Sequence, residues 1–217
     1  MSKIFLITRP QHEYRISYMH AWSKDILDFV AKKGIKFSDF DKKQATKGNV
    51  EKYLKKRKPE FVIFNGHGPE DSTAILGHND EILIESGKNT HLLKDTIVYA
   101  RACFSSTVLG NDVIKNGGKA YIGYAGPFSW VHSADRECNP FKDNIAEPFK
   151  RISNEIPLAI LNGHTTLEAH EKSKELCLKL LQQFSSTGNE DLDKEIRFWL
   201  FVDMIIQEHL GDPNATF

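Results

Sequence analysis

The sequence has little that would staple, anchor or steer it. Only three of its 217 residues are cysteine, Cys103, Cys138 and Cys177, an odd number at wide spacing. That argues against a disulfide framework and for a reducing compartment in which a thiol can work. An excess of either charge is also missing. Lys and Arg total 29, as do Asp and Glu, so no global field draws the chain to nucleic acid or to an anionic membrane. Long apolar runs are absent as well. The opening MSKIFLITRPQHEY holds four consecutive apolar residues, Ile4 to Ile7, too few for a signal-peptide core or a spanning helix. The expected location is the cytoplasm, with neither membrane nor nucleic acid as partner.

What is present is an ordinary globular composition, 40% hydrophobic and 27% charged, long enough to bury the core of one large α/β domain. No repeat, low-complexity tract or linker divides it, so residues 1–217 read as a single domain. Short β-branched or aromatic runs alternate with helix-period segments over the first two thirds, the pattern of a mostly parallel sheet covered on both faces. KIFLIT, IKFSDF, EFVIFNG, DTIVYARA and KAYIGYA read as five strands of that sheet. Helices are expected over 17–33, 50–57 and 107–115, and residues 73–86 read as a hairpin or flap. Beyond the loop that follows KAYIGYA the chain reads as mainly helix, with strong periodicity over 165–184 and 191–209.

Ligands and chemistry in open parallel sheets gather beyond the carboxyl ends of the strands. Two of those ends carry reactive residues: FVIFNGHG puts His67 and Gly68 just past the third strand, and IVYARAC puts Cys103 past the fourth. If these strands are neighbours, as consecutive elements usually are, an imidazole and a thiol face one gap. Cysteine nucleophiles need a base and donors for an oxyanion. The N–H groups of Gly68 and Cys103 can supply the donors. The helix expected after Cys103 aims its positive end at the thiol and should lower its pKa. On these grounds alone a buried core cysteine and a simple His-Gly turn remain the plain alternatives.

FVIFNGHG and IVYARACFSS resemble the two signature strands of the caspase-like cysteine peptidases, the group of caspases, metacaspases, legumains, separases, clostripain and gingipains. The terminal HLGDPNATF is similar to the close of gingipain-type bacterial domains. The resemblance implies a three-layer caspase-like fold, mostly parallel in its central sheet with helices on both faces. It implies a cysteine endopeptidase acting on a protein or peptide substrate through a Cys-His dyad. Cys103 would attack, His67 would protonate the leaving amine, and Gly68 and Cys103 would form the oxyanion hole; no metal or organic cofactor is implied. Caspases carry a cleavable linker between the helix after the nucleophile and the next strand. Here only Asn116-Gly117-Gly118 joins the two, which leaves control to an activating protein or ligand.

Substrate choice is read from Arg101, on the same strand face as Cys103 by the period of two. In the relatives this position helps line the pocket for the residue before the cut. An Arg there favours a carboxylate, so cleavage after Asp or Glu is expected; the alternative is an internal pair with Asp71, Asp80, Asp135 or Glu137. The loop AGPFSWVHSADRECNP, with Phe128, Trp130, Asp135 and Glu137, overhangs the same end and reads as a substrate wall or as a lid packed on the core. Thr8, Arg9 and His12 form a second possible wall. The basic run EKYLKKRKPE suits a solvated helix end. The pairs His132 with Cys138 and His164 with His170 lack zinc-site spacing, and Cys177 falls on a helix's apolar stripe. Two other functions stay open: a catalytically silent caspase-like binding or signalling module, and a flavodoxin-like domain binding a small anion.

Overall fold

The computed structural model describes residues 3–217. A six-stranded sheet forms its centre. In chain order the elements that build and cover it are strand β1 (Ile4–Arg9), helix α1 (Tyr14–Lys33), β2 (Lys36–Asp41), α2 (Lys47–Arg57), β3 (Phe61–Asn65), the hairpin β4 (Ala74–Leu76) and β5 (Ile82–Glu85), β6 (Ile97–Arg101), α3 (Asn111–Lys115), β7 (Ala120–Tyr124), α4 (Glu147–Leu161), α5 (Thr166–Gln182), α6 (Glu190–Ile206) and β8 (Gln207–Gly211). The sheet order is β2-β1-β3-β6-β7-β8, parallel except that β8 runs antiparallel to β7.

Both faces of the sheet are covered, which is why its inner strands are mostly apolar, with Asn65 and Arg101 as the buried polar residues at the ends of β3 and β6. Every residue of β3, β6 and β7 is buried. Alternation then sorts the side chains between two cores. Phe5, Ile7, Phe61, Ile63, Ile97, Tyr99 and Ile122 face α1, α4, α5 and α6, while Leu6, Val62, Phe64, Val98 and Tyr121 face α2, α3 and the hairpin. Helix ends are set locally: Glu13 caps α1 through its side chain and Gly34 closes it at φ 67°, and Thr165 with Glu168 forms a capping box at α5.

The α/β class, the five strands and the adjacency of the third and fourth of them match the sequence reading. Three details differ. The helical pattern over 191–209 ends at Ile206, and Gln207–Gly211 continues as the sixth strand. Its backbone finds a ladder along the free edge of β7, including Ile122 opposite His209, and that long-range pairing overrides local periodicity. Expected as one helix, residues 107–115 instead open with a wide turn over Ser106–Gly110 before α3. The helix α4, amphipathic and fully integrated in the core, lies in the stretch described above only as mainly helical. No described helix is long and apolar enough to cross a membrane.

Candidate active site

Strands β3 and β6 pair in register from Phe61 opposite Ile97 to Asn65 opposite Arg101, and the next contact, Gly66 N–H to the Arg101 carbonyl at 3.3 Å, extends the ladder. His67, Gly68 and Cys103, which lie beyond this point, therefore emerge side by side although His67 and Cys103 are 36 residues apart. Gly68 is seated directly on the backbone of Cys103. A Cβ at residue 68 would stand 1.8 Å from the Cys103 carbonyl oxygen and 3.3 Å from its nitrogen, so only glycine fits.

The chain turns sharply after the thiol. Phe104 adopts φ 50°, a left-handed conformation that costs a bulky residue free energy and is held by its surroundings. Its N–H donates to the Gly126 carbonyl at 2.9 Å. Its carbonyl accepts from Ser72 Oγ. Ser72, nearly buried, also accepts from Thr107 Oγ1 at 2.6 Å and from the Val108 N–H at 3.3 Å. One serine thus stitches the segment after His67 to the segment after Cys103, a role that no spacing in the sequence signals.

The thiol is partly buried and Sγ donates to the Phe128 carbonyl at 3.5 Å. Burial pushes its pKa up; the Phe128 contact and Arg15 act in the opposite direction and are outweighed. This corrects the expected lowering by a following helix. The wide turn over Ser106–Gly110 and the five-residue α3 do not aim a long dipole at Sγ, and desolvation of the thiolate dominates. His67 is a third exposed, with Nε2 3.5 Å from Glu13 Oε1, so the helix-capping carboxylate also faces the imidazole. Neither Gly68 N–H nor Cys103 N–H is bonded to an acceptor of another residue among the described residues.

Arg101 is fully buried. Nη2 donates to Asn154 Oδ1 at 2.6 Å, while Nε and Nη1 have no partner among the described residues. Asn154 in turn donates to the Trp22 carbonyl. The guanidinium therefore ties β6 to α4 and α1 beneath the strand ends. No carboxylate lies within 4 Å of it among the described residues, and Asp71, Asp80, Asp135 and Glu137 are not its partners. Trp130 packs against Trp22 at 5.0 Å, Tyr18 and Phe128, so this part of the loop is a lid on the core. Asp135 is exposed and pairs with Arg136, and Glu137 pairs with His132 at 3.1 Å. Arg9, the second wall's cation, is held by Asp39 and Asp41.

A second residue that sequence reasoning passed over, besides Ser72, is Arg15. It is exposed, lines a small cavity of about 50 Å³ with Tyr14, Phe128, Ser129, Trp130 and His132, and its charge favours the Cys103 thiolate. Its Nε donates to Tyr14 Oη at 2.8 Å. A cation in the first turn of a helix, where the dipole disfavours it, was the signal that could have drawn attention to it.

The sequence matches no family model and no curated protein. The site therefore rests on its own geometry. The other sequence-noted groups fall into structural roles: His164 faces Glu168 at 3.4 Å, His170 is buried, the Cys177 thiol donates to the Leu200 carbonyl, and Lys55, Lys56 and Arg57 fill the last turn of α2.

Proposed function

We propose that the chain is a cysteine endopeptidase with Cys103 as nucleophile and His67 as its proton carrier, cutting after an acidic residue. The observation that carries this reading is the seating of Gly68 on Cys103, with a notional Cβ only 1.8 Å from the carbonyl oxygen. It supports a site in which an imidazole, a thiol and two unengaged backbone donors converge at the carboxyl ends of adjacent parallel strands, where catalytic constellations gather.

In the resting protein the partly buried thiol is protonated and donates to the Phe128 carbonyl. Substrate entering beside Phe128 exchanges that contact for His67, which takes the proton as sulfur attacks the scissile carbonyl; such contacts commonly tighten only with substrate bound. The developing oxyanion is met by the N–H groups of Gly68 and Cys103. His67 then passes its proton to the leaving amine, and water hydrolyses the thioester. Arg15, rather than the buried Arg101, supplies the exposed cation for a substrate carboxylate through charge-assisted hydrogen bonds.

The raised thiol pKa favours one second reading, a catalytically silent module that binds peptides at the same strand ends. Peptides that differ only in the residue before the scissile bond separate the two. Cleavage after Asp or Glu, abolished in Cys103→Ala, supports the peptidase. Cleavage only after Lys or Arg sinks the specificity, and binding without cleavage supports the silent module.

A further inference from the structure

His67 has a second set of neighbours that peptide hydrolysis does not use. His12, in the loop between β1 and α1, and Asp80, in the turn of the β4–β5 hairpin, approach it from two other strand ends. The ligand atoms of His12, His67 and Asp80 all lie within 4.8 Å of one another. His12 Nε2 is 3.3 Å from Asp80 Oδ1, and the His12 and His67 rings meet edge to face at 6.1 Å between centroids. Tetrahedral zinc with bonds of about 2.0–2.1 Å sets its ligands about 3.4 Å apart. One edge of that tetrahedron is therefore already formed, and a movement of at most about 1.5 Å brings in His67.

The surroundings hold these groups in place. His12 is mostly buried, with its side chain 11% exposed, and its Nδ1 has no partner among the described residues. His78 packs against it at 5.4 Å and accepts from the Gln11 N–H through Nδ1. The hairpin turn that presents Asp80 has Asn79 and Asp80 at φ 54° and 58°, left-handed values that these two residue types tolerate better than others. That turn is tied down: Leu76 N–H bonds the His67 carbonyl at 2.9 Å and His78 N–H bonds the Ala45 carbonyl at 3.1 Å. His67 and Asp80 are solvent-accessible, with side chains 34% and 59% exposed, so an ion can enter.

We propose that His12, His67 and Asp80 form a zinc site that reversibly locks the candidate active site. Two imidazoles and one carboxylate suit zinc over calcium or magnesium, which prefer all-oxygen shells. Three protein ligands leave the fourth position to water. Zinc bound there engages the nitrogen lone pair that His67 would use to carry the thiol proton, and it pins the hairpin to the β1–α1 loop over the cleft. The lock rests on the peptidase reading; the metal site does not.

Zinc binding is measured on chelator-stripped protein by competition with a chromophoric chelator, and the rate of Cys103 alkylation by a thiol-reactive peptide is measured with and without zinc. The expected result is one zinc per chain, with affinity weakened at least about tenfold by His12→Ala and by Asp80→Asn but retained in Cys103→Ala. Alkylation in the unmodified chain should slow at least about tenfold on adding zinc, and less in either ligand variant. Folding of the variants is checked by thermal unfolding without metal, and a second pair, His12→Gln and Asp80→Ala, guards against a folding defect. Zinc affinity lost in Cys103→Ala and kept in His12→Ala overturns the site in favour of direct thiolate ligation. Zinc bound as proposed with alkylation unchanged overturns the lock. Failure of every peptide to be cleaved counts against the peptidase reading and leaves the binding result standing.

Discussion

Gly68→Ala is the most local perturbation the site permits, since it adds one methyl and removes no chemical group. The new Cβ would stand 1.8 Å from the Cys103 carbonyl oxygen and 2.9 Å from its carbonyl carbon. An ordinary carbon–oxygen contact needs about 1.5 Å more than the first of these, and the obstacle is backbone on both sides, with no flexible side chain to yield. Forced separation of this kind costs roughly 1–3 kcal/mol, which for a domain of this size lowers Tm by about 2–12 °C. On the proposed peptidase reading, moving Cys103 by about 1 Å relative to the Gly68 donor lowers the rate about a hundredfold. Gly48→Ala is the control: it lies within α2, and its added methyl meets nothing within 4 Å, so it should stabilise by about 0.5–1 kcal/mol. Thermal unfolding and the alkylation rate of Cys103 by a thiol-reactive peptide read both effects. Gly68→Ala with an unchanged Tm and an unchanged alkylation rate would refute the close seating of Gly68 on Cys103 and the site built on it.

Three further predictions follow from particular groups. Arg15→Ala should reduce cleavage after Asp or Glu about tenfold or more while cleavage after a neutral residue changes little, measured as kcat/KM on matched peptides; an equal loss on both removes Arg15 from specificity. Asn154→Leu takes away the one side-chain hydrogen-bond acceptor that the buried Arg101 has among the described residues and should cost about 3 kcal/mol in urea unfolding, whereas adding Arg101→Met to it should recover most of that loss; strict additivity of the two would show that the pair is not coupled. His170 is buried among α5 and β8, and burial lowers its pKa to about 4, below its unfolded value of about 6.5. The native state therefore binds this proton less readily than the unfolded one, so the stabilisation is full above about pH 6.5 and is lost as pH falls toward 4. Stability measured across that range should fall less steeply in His170→Met, and parallel curves would contradict the assignment.

Much of the fold was written in local pattern. The inner parallel strands announce themselves as largely apolar runs because both faces of the sheet are covered there, while the edge strand β2, KFSDFD, stays half-exposed; EFVIFNG and DTIVYARA end where the ladder ends, so His67 and Cys103 lie just past adjacent strand ends. β8 was illegible because Gln207–Gly211 follows α6 without a break and becomes a strand only through the edge of β7. Strand alternation put Arg101 on the right face but gave no depth, and depth is decided by α1 and α4 closing over it. The raised thiol pKa was hidden for the same reason: desolvation depends on what covers Cys103, here the loop carrying Phe128, which composition does not reveal. Ser72, Arg15 and the His12–Asp80 pair join segments far apart in the chain, and no spacing rule connects them.

The proposed pairing of Cys103 with His67 is tested most directly by reaction of the chain with an electrophilic peptide carrying Asp before its warhead, with each cysteine read by peptide mass mapping. Modification should fall selectively on Cys103, sparing the exposed Cys138 and the buried Cys177, should vanish in Cys103→Ala and should slow by about a hundredfold or more in His67→Ala. Equal labelling of Cys103 and Cys138, or a rate unaffected by His67→Ala, would contradict the account.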